Sequence, residues 1–314
     1  MTGAVWTEHR PLGDTDLSVS SLAMGCAKLG AFWQGRSPAA GRRALEAARS
    51  SGITFFDTAD CYARGISERL VGQALGPHRD EVVIATKVGL LKTPLAIASA
   101  RRSSPERRPM GRAELRGLVP QGQAARCFAP VYVEKAVERS LRRLRTDRVD
   151  LLLLHDPPAE ELRAQRFLPA LERLREAGKI RHYGVACSGA EQSRAALDLP
   201  DVSCLAIPHN LQTGATAAAV LPEAERRGVA VVATAPLGDG TLLRAAAGEH
   251  PPETVATACI QFALASRGIS AVIVGMSTPD HVAADVRAAT GPPLPEPVVE
   301  SIRRCVSEAA GPRC

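Results

Sequence analysis

The stretch "FFDTADCY", residues 55–62, runs two phenylalanines straight into two acids, a cysteine and a phenol. Phe55 and Phe56 suit a buried strand, so Asp57 and Tyr62 stand where that strand leaves the core. The pattern recurs twice: "VVIATKV" places Lys87 behind an apolar run, and "VDLLLLHDPP" places His155 and Asp156 behind another. Taken singly, each residue has a bland role: Asp57 as a helix cap, Lys87 as a surface residue, His155 as a satisfied core histidine. Together they put a carboxylate, a phenol, an ammonium and an imidazole at successive strand ends, where burial without partners would be costly. Such a set suits acid–base chemistry. A free phenol, with a pKa near ~10, is a poor acid or base at neutral pH. An adjacent ammonium stabilises phenolate and lowers that value, and a carboxylate holds the ammonium charged and in place.

The elements that must position these groups alternate along the chain. Strand candidates are 21–27, 54–59, 82–88, 149–155, 182–188, 204–210, 229–235 and 270–275, most separated by amphipathic stretches such as "VEKAVERSLRRLRTD". Runs with little internal alternation are those of parallel strands buried on both faces. Eight strand-then-helix units predict a single-domain α/β fold over residues 1–314, a (β/α)₈ TIM barrel, ahead of a doubly wound sheet. Gly52, Gly178 and Gly228 each stand one step before a strand, as helix C-caps do. No GxGxxG follows any strand, so a Rossmann nucleotide site lacks its main signature. Residues 91–130 break the rhythm, being rich in Arg, Pro, Gly and Ser. Inserted after the Lys87 strand, they are either a substrate-side lid over the mouth of the barrel or a disordered stretch.

Composition bounds the partners. The 314 residues are 45% hydrophobic and 23% charged, enough to bury a large core, with only 4% aromatics. The formal charge of +6 comes from arginines spread over helix faces and one loop, without an aromatic-interleaved basic stripe. A solvated surface is expected, not a nucleic-acid footprint. Eight cysteines stand singly, and no signal peptide or membrane-spanning run is visible. They read as reduced thiols of a cytoplasmic protein. The seven histidines show no metal-ligand spacing, so no metal is expected. The expected partner is a small molecule. Nothing in the sequence specifies an oligomeric state.

These motifs resemble the aldo-keto reductases almost end to end. "LGDTDLSVSSLAMGCAKLG" is similar to the family's opening β-hairpin and first strand, and "GITFFDTADCYARGISERLVGQAL" to its most specific motif. "VVIATKVG" resembles the lysine strand and "LRRLRTDRVDLLLLHDP" the histidine strand. "LREAGKIRHYGVA", "PLGDG" and "VIVGMSTPDHV" follow in the family's order. "SERLVGQAL" and the insert after Lys87 look most like the aldose and pyridoxal dehydrogenase branch. The resemblance implies a catalytic tetrad of Asp57, Tyr62, Lys87 and His155, with hydride delivered to a carbonyl carbon and a proton from Tyr62 to its oxygen. It implies NADP(H) or NAD(H), with contacts at Gly25, Cys26, Ala186, Cys187, Ser188, Thr234, Pro236, Leu237, Gly238, Gly240, Gly275, Ser277, Thr278, His281 and Asp285.

The sequence departs from the family on this cofactor side. Ala186 and Cys187 stand where many members carry Ser-Asn for the nicotinamide carboxamide, and Ala206 stands for a glutamine. Thr234 replaces an aromatic that stacks on the ring, and Ser188 or backbone amides are the candidate substitutes. At the adenosine end His281 stands for the basic residue that meets a 2′-phosphate, and Ala284 and Asp285 for a Glu-Asn pair. Without a bidentate arginine, preference for NADP over NAD should be weak. Ser277, Thr278 and the helix N-terminus near Asp280 can still hold a phosphate. Trp33 is a candidate pocket wall or rim packing residue, and His209 and Asn210 are candidate polar contacts to substrate. Low aromatic content and the arginine-rich insert favour a polar substrate over a steroid-like one. Three functions follow: an NAD(P)-dependent carbonyl reductase or alcohol dehydrogenase, a redox-neutral lyase, isomerase or cyclase using the same tetrad, and a non-catalytic binding subunit.

Overall fold

A computed structural model describes residues 8–31, 37–91 and 125–309. Eight parallel strands close into a barrel in chain order: β3 (Leu22–Gly25), β4 (Phe55–Asp57), β5 (Val83–Val88), β8 (Val149–His155), β9 (Ile180–Ala186), β10 (Cys204–Pro208), β11 (Ala230–Thr234) and β12 (Ile269–Gly275). β12 pairs back onto β3, with Gly275 opposite Gly25. All eight expected strands are present, with ends displaced by a few residues. β1 (His9–Pro11) and β2 (Ser18–Ser20) form the expected antiparallel hairpin.

Strand side chains alternate between the barrel interior and the helix layer. Ala23, Phe55, Ala85, Leu151, Leu153, Cys204, Ala206, Val232, Ala271 and Ile273 form the inner core, and Leu12, Leu17 and Val19 of the hairpin segment pack into it. The outer core lies between strands and helices. Helix Pro130–Leu144 shows how the sequence builds that layer. Proline stands in its first turn, and Tyr132, Val133, Ala136, Val137, Ser140, Leu141 and Leu144 bury one stripe. The helix ends at left-handed Arg145. Burying each leucine of such a stripe contributes about 1.5–3 kcal/mol.

Gly52, Gly178 and Gly228 hold the left-handed C-cap conformation their positions predict. Of the insert, only its base is described: β6 (Leu90–Leu91) pairs antiparallel with β7 (Ala125–Arg126). At Gly89, φ is +112°, and a Cβ would lie 2.1 Å from the Phe128 ring, so only glycine fits between β5 and this ribbon. Residues 92–124 of the insert, and Trp33, lie outside the described residues. No helix among the described residues is long and apolar enough to cross a membrane.

Candidate active site

Two residues beyond the inner-core positions Phe55, Ala85 and Leu153 stand Asp57, Lys87 and His155. The pleat therefore aims all three at the mouth formed by the strands' carboxyl ends. Lys87 is 3% exposed and Asp57 4%. The ammonium donates to both Asp57 carboxylate oxygens, 2.5 Å from Oδ2, and to the Thr58 carbonyl at 3.1 Å. It also lies 3.4 Å from the Tyr62 hydroxyl.

Burial pushes the Asp57 carboxyl up against the pull of Lys87. For Lys87, burial pulls down, but the charge of Asp57 and the Tyr62 oxygen more than offset it, leaving the amine raised. The two directions favour different protonation of the pair. The twofold donation from Nζ to the carboxylate is the geometry of an ion pair, so Lys87 is held as an ammonium.

Tyr62 is held by an unusual turn. Ala63 and Arg64 have φ of 46° and 57°, and Gly65 has φ of 83°. Two non-glycine residues in this region store backbone strain that the surroundings must hold. They are pinned from below. Thr58 Oγ1 and Ser67 Oγ lie 2.9 Å apart, and Ser67 donates to the Cys26 carbonyl at 2.8 Å. Fully buried Glu68 accepts from Thr86 at 2.7 Å and from Arg143 at 2.5 Å. Thr86 neighbours Lys87 on β5, so this acid ties the lysine strand to the tyrosine turn. Glu68 was missed from sequence; its only signal is an acid on the buried face of helix Ile66–Leu75.

Burial pushes the Tyr62 phenol up to about 12, with Asp57 and Cys61 adding to the rise. Lys87 pulls it down, as its position predicts, but burial wins. The lowered phenol expected from the sequence is therefore corrected to a raised one, neutral at physiological pH. His155 sits edge-on to the Tyr62 ring, with centroids 5.8 Å apart at 87°. Cys61 Sγ lies 3.8 Å from His155 Nδ1. Asp60 has a buried Oδ1 with no hydrogen-bond partner among the described residues. Burial, then the charge of Glu68, pushes that carboxyl up to about 7 against Arg143 and Arg139.

Beside the tetrad, Asp156 takes a left-handed backbone (φ 54°) and joins three elements. It pairs with Arg126 at the base of the insert and accepts from Ser188 at 2.7 Å and Gln192 at 3.1 Å. Ser188 is thereby engaged at the rim.

On the other arc of the mouth the inward positions are small. Gly25, Ala186, Thr234 and Gly275 end β3, β9, β11 and β12, and a Cβ at Gly275 would meet nothing within 4 Å. Cys26 and Cys187, one residue further, turn into the outer core. Burial pushes the Cys187 thiol up to about 12. Beyond β11, Pro236 is buried and Leu237 half-buried ahead of the 3-10 turn Gly238–Gly240. Ser277 Oγ lies 3.3 Å from His281 Nδ1, and Thr278 caps helix Pro279–Thr290 by accepting from the His281 amide. Asp285 is 9% exposed, and burial pushes it up to about 7.

His209 departs from its expected place. Its ring stacks on Phe262 of helix Pro252–Ala265 at 5.1 Å and bonds Ser266, the C-cap of that helix, at 2.7 Å. Burial pulls the imidazole down. Because Pro208 faces inward, the next residue must face the helices, so His209 packs the outer layer and does not line the mouth. Asn210 likewise braces its own loop, accepting from the Gln212 and Thr213 amides and donating to Ala235 O.

Residues 21–254 match the aldo/keto reductase family model. The pyridoxal 4-dehydrogenase of Microbacterium luteolum is 29% identical over 320 residues, covering 89% of this chain and 92% of that protein. The D-threo-aldose 1-dehydrogenase of a Pseudomonas species is 29% identical over 296 residues, covering 84% and 87%. Among solved structures, the holo form of an aldo-keto reductase from Bacillus halodurans superposes with a TM-score of 0.72 at 26% identity, covering 95% and 96%. A Klebsiella pneumoniae aldo-keto reductase, solved in complex with NADPH, shares the fold at 24% identity and a TM-score of 0.69, covering 95% of each chain.

Proposed function

Because the chain belongs to the aldo/keto reductase family, we propose that it interconverts a carbonyl and an alcohol as an NAD(P)-dependent oxidoreductase in which Tyr62 moves the proton. The observation that carries this is the Lys87 ammonium, locked on Asp57 and 3.4 Å from the Tyr62 hydroxyl. The names of the similar dehydrogenases support a polar substrate of the sugar or pyridoxal kind.

The arc of Gly25, Ala186, Thr234 and Gly275 carries small side chains beside the tetrad, with open space at Gly275. Ser277, Thr278 and the Asp280 amide in the first turn of helix Pro279–Thr290 offer donors for a phosphate, with His281 alongside. These residues fit a dinucleotide laid from the mouth to that helix, with Pro236, Leu237, Gly238 and Gly240 beside it. When bound, the dinucleotide supplies hydride in reduction and accepts it in oxidation. In reduction, neutral Tyr62 donates its proton to the carbonyl oxygen and His155 orients that oxygen by a hydrogen bond. Lys87 stabilises the phenolate left behind, and Asp57 keeps Lys87 charged. Such positioning contributes on the order of 10²–10⁴ in rate.

A second reading keeps the tetrad without the redox step. It is favoured by the outward turn of Cys187 and the small side chains at 186, 206 and 234, which leave few side-chain donors for a carboxamide. Steady-state assays of aldehydes, ketones and sugars with NADPH and with NADH decide between them. Cofactor-dependent turnover of any polar carbonyl is expected. Absence of turnover across the panel, together with activity in a redox-free dehydration or epimerisation assay, would overturn the redox reading.

A further inference from the structure

The last described helix, Glu296–Ala309, packs Ile302, Cys305 and Val306 against Leu242, Ala246, Val255, Ala258 and Cys259. This cluster lies beside the barrel and contributes nothing to the tetrad. At its edge, Glu249 and His250, from the link between helices Thr241–Ala245 and Pro252–Ala265, meet Cys305. Each offers one ligand atom, and these atoms lie within 4.8 Å of one another. The set is graded from dry to wet: Cys305 is 6% exposed, His250 half-buried and Glu249 exposed.

One neighbour makes this more than three polar residues in proximity. Ser301, one turn before Cys305 on the same helix, places Oγ 2.9 Å from His250 Nε2. When that hydroxyl accepts from Nε2–H, Nδ1 carries the lone pair for a ligand, which is how metal-binding histidines are oriented from outside the coordination sphere. Burial, then the hydrogen bond and charge of Glu249, pushes the Cys305 thiol up.

We propose that Glu249, His250 and Cys305 form a binding site for a zinc-class divalent cation, with water as fourth ligand. One sulfur, one imidazole nitrogen and one carboxylate oxygen suit tetrahedral zinc and disfavour magnesium or calcium, which take oxygen. On binding, the Cys305 S–H bond breaks, the proton leaves to solvent and a metal–sulfur bond forms; nothing is oxidised or reduced. The ion would staple the last helix to the segment that follows β11. Affinity should fall as pH falls, since protons compete for the thiolate and the imidazole.

The test uses the full-length, chelator-stripped protein kept reduced, titrated with cobalt(II) as a spectroscopic stand-in for zinc. A thiolate-to-cobalt charge-transfer band in the near ultraviolet, saturating at one equivalent and bleached by zinc, is expected. Cys305→Ser should abolish the band. His250→Ala, a half-buried position that tests the same site if the serine variant folds poorly, should weaken zinc binding at least tenfold, roughly the scale of losing an outer-shell partner or more. Ser301→Ala should weaken it by about tenfold while keeping the band. No band in the natural protein, or an unchanged band in Cys305→Ser, would overturn the proposal. A band lost in Cys61→Ser but kept in Cys305→Ser would place the ion at the Cys61–His155 contact and equally overturn it.

Discussion

The two arcs of the barrel mouth are built on opposite principles. From β4 to β8, the strand ends carry Asp57, Lys87 and His155, with Tyr62 beside them, and the proton-handling pair is fixed by others: Lys87 by Asp57 and Thr58, Tyr62 by the strained turn, the turn by Glu68 and Ser67. From β9 round to β3, the inward positions are Ala186, Pro208, Thr234, Gly275 and Gly25, which give room and little chemistry. A proton carrier must be held to a fraction of an ångström, so its arc is over-determined. A bound planar group brings its own chemistry, so its arc needs shape. On this view the first arc fixes what the protein does to an oxygen atom, and the second fixes how tightly the hydride carrier binds.

The largest effects should come from breaking the first arc. Tyr62→Phe removes one hydroxyl and no core volume, so turnover should fall by at least about 10² with the circular dichroism unchanged. Residual activity above about a tenth would remove Tyr62 from the proton step. Lys87→Met should fall as far and also cost stability, about 3–5 kcal/mol, because Asp57 is left as a buried charge without its partner. A chemical denaturation curve measures that cost, and an undiminished midpoint would deny the ion pair its buried character.

The pH response separates the two directions of reaction. With the phenol raised to about 12, Tyr62 is neutral across the physiological range. Reduction, which needs the proton present, should be flat between neutrality and mild alkali. Oxidation needs phenolate, whose fraction grows about tenfold per pH unit below the pKa, so its rate should climb throughout that window. A plateau in oxidation near neutral pH would show a phenol acidified well below its free value.

Smaller changes sharpen the second arc. Thr234→Tyr adds a ring at an inward, half-buried position of β11 and should tighten reduced cofactor several-fold, the scale of a face contact worth ~0.5–1.5 kcal/mol. Isothermal titration of both proteins measures it, and weaker binding in the variant would mean that the ring does not lie over β11. The smallest difference should be between the cofactors themselves. If, as the family resemblance implies, His281 takes the place of the basic residue that meets a 2′-phosphate, the ratio of NADPH to NADH affinity should stay below about tenfold, or about 1.4 kcal/mol. A hundredfold ratio would reveal another cation at that end.

Much of the first arc was legible in the sequence, because buried parallel strands read as continuous apolar runs and the acid, lysine and histidine end them. What escaped was whatever register or distance decides. Period-two alternation turns Cys26, Cys187 and His209 away from the mouth, since Gly25, Ala186 and Pro208 already face it. Glu68 and Arg143 lie 75 positions apart, and no local pattern joins them. The direction of the Tyr62 shift also escaped, because it depends on burial, which sets the phenol against its own ammonium neighbour.

Binding of reduced cofactor to the natural protein, followed by quenching of its fluorescence, tests the division of labour most directly. The arc of small residues predicts saturable binding of NADPH and NADH with dissociation constants in the tens of micromolar or above, roughly −6 kcal/mol. Tyr62→Phe should bind as the natural protein does while failing to turn over. Submicromolar binding would show that the backbone or Ser188 has replaced the contacts missing at 186, 206 and 234. No measurable binding of either cofactor, to the natural protein or to Thr234→Tyr, would contradict the account.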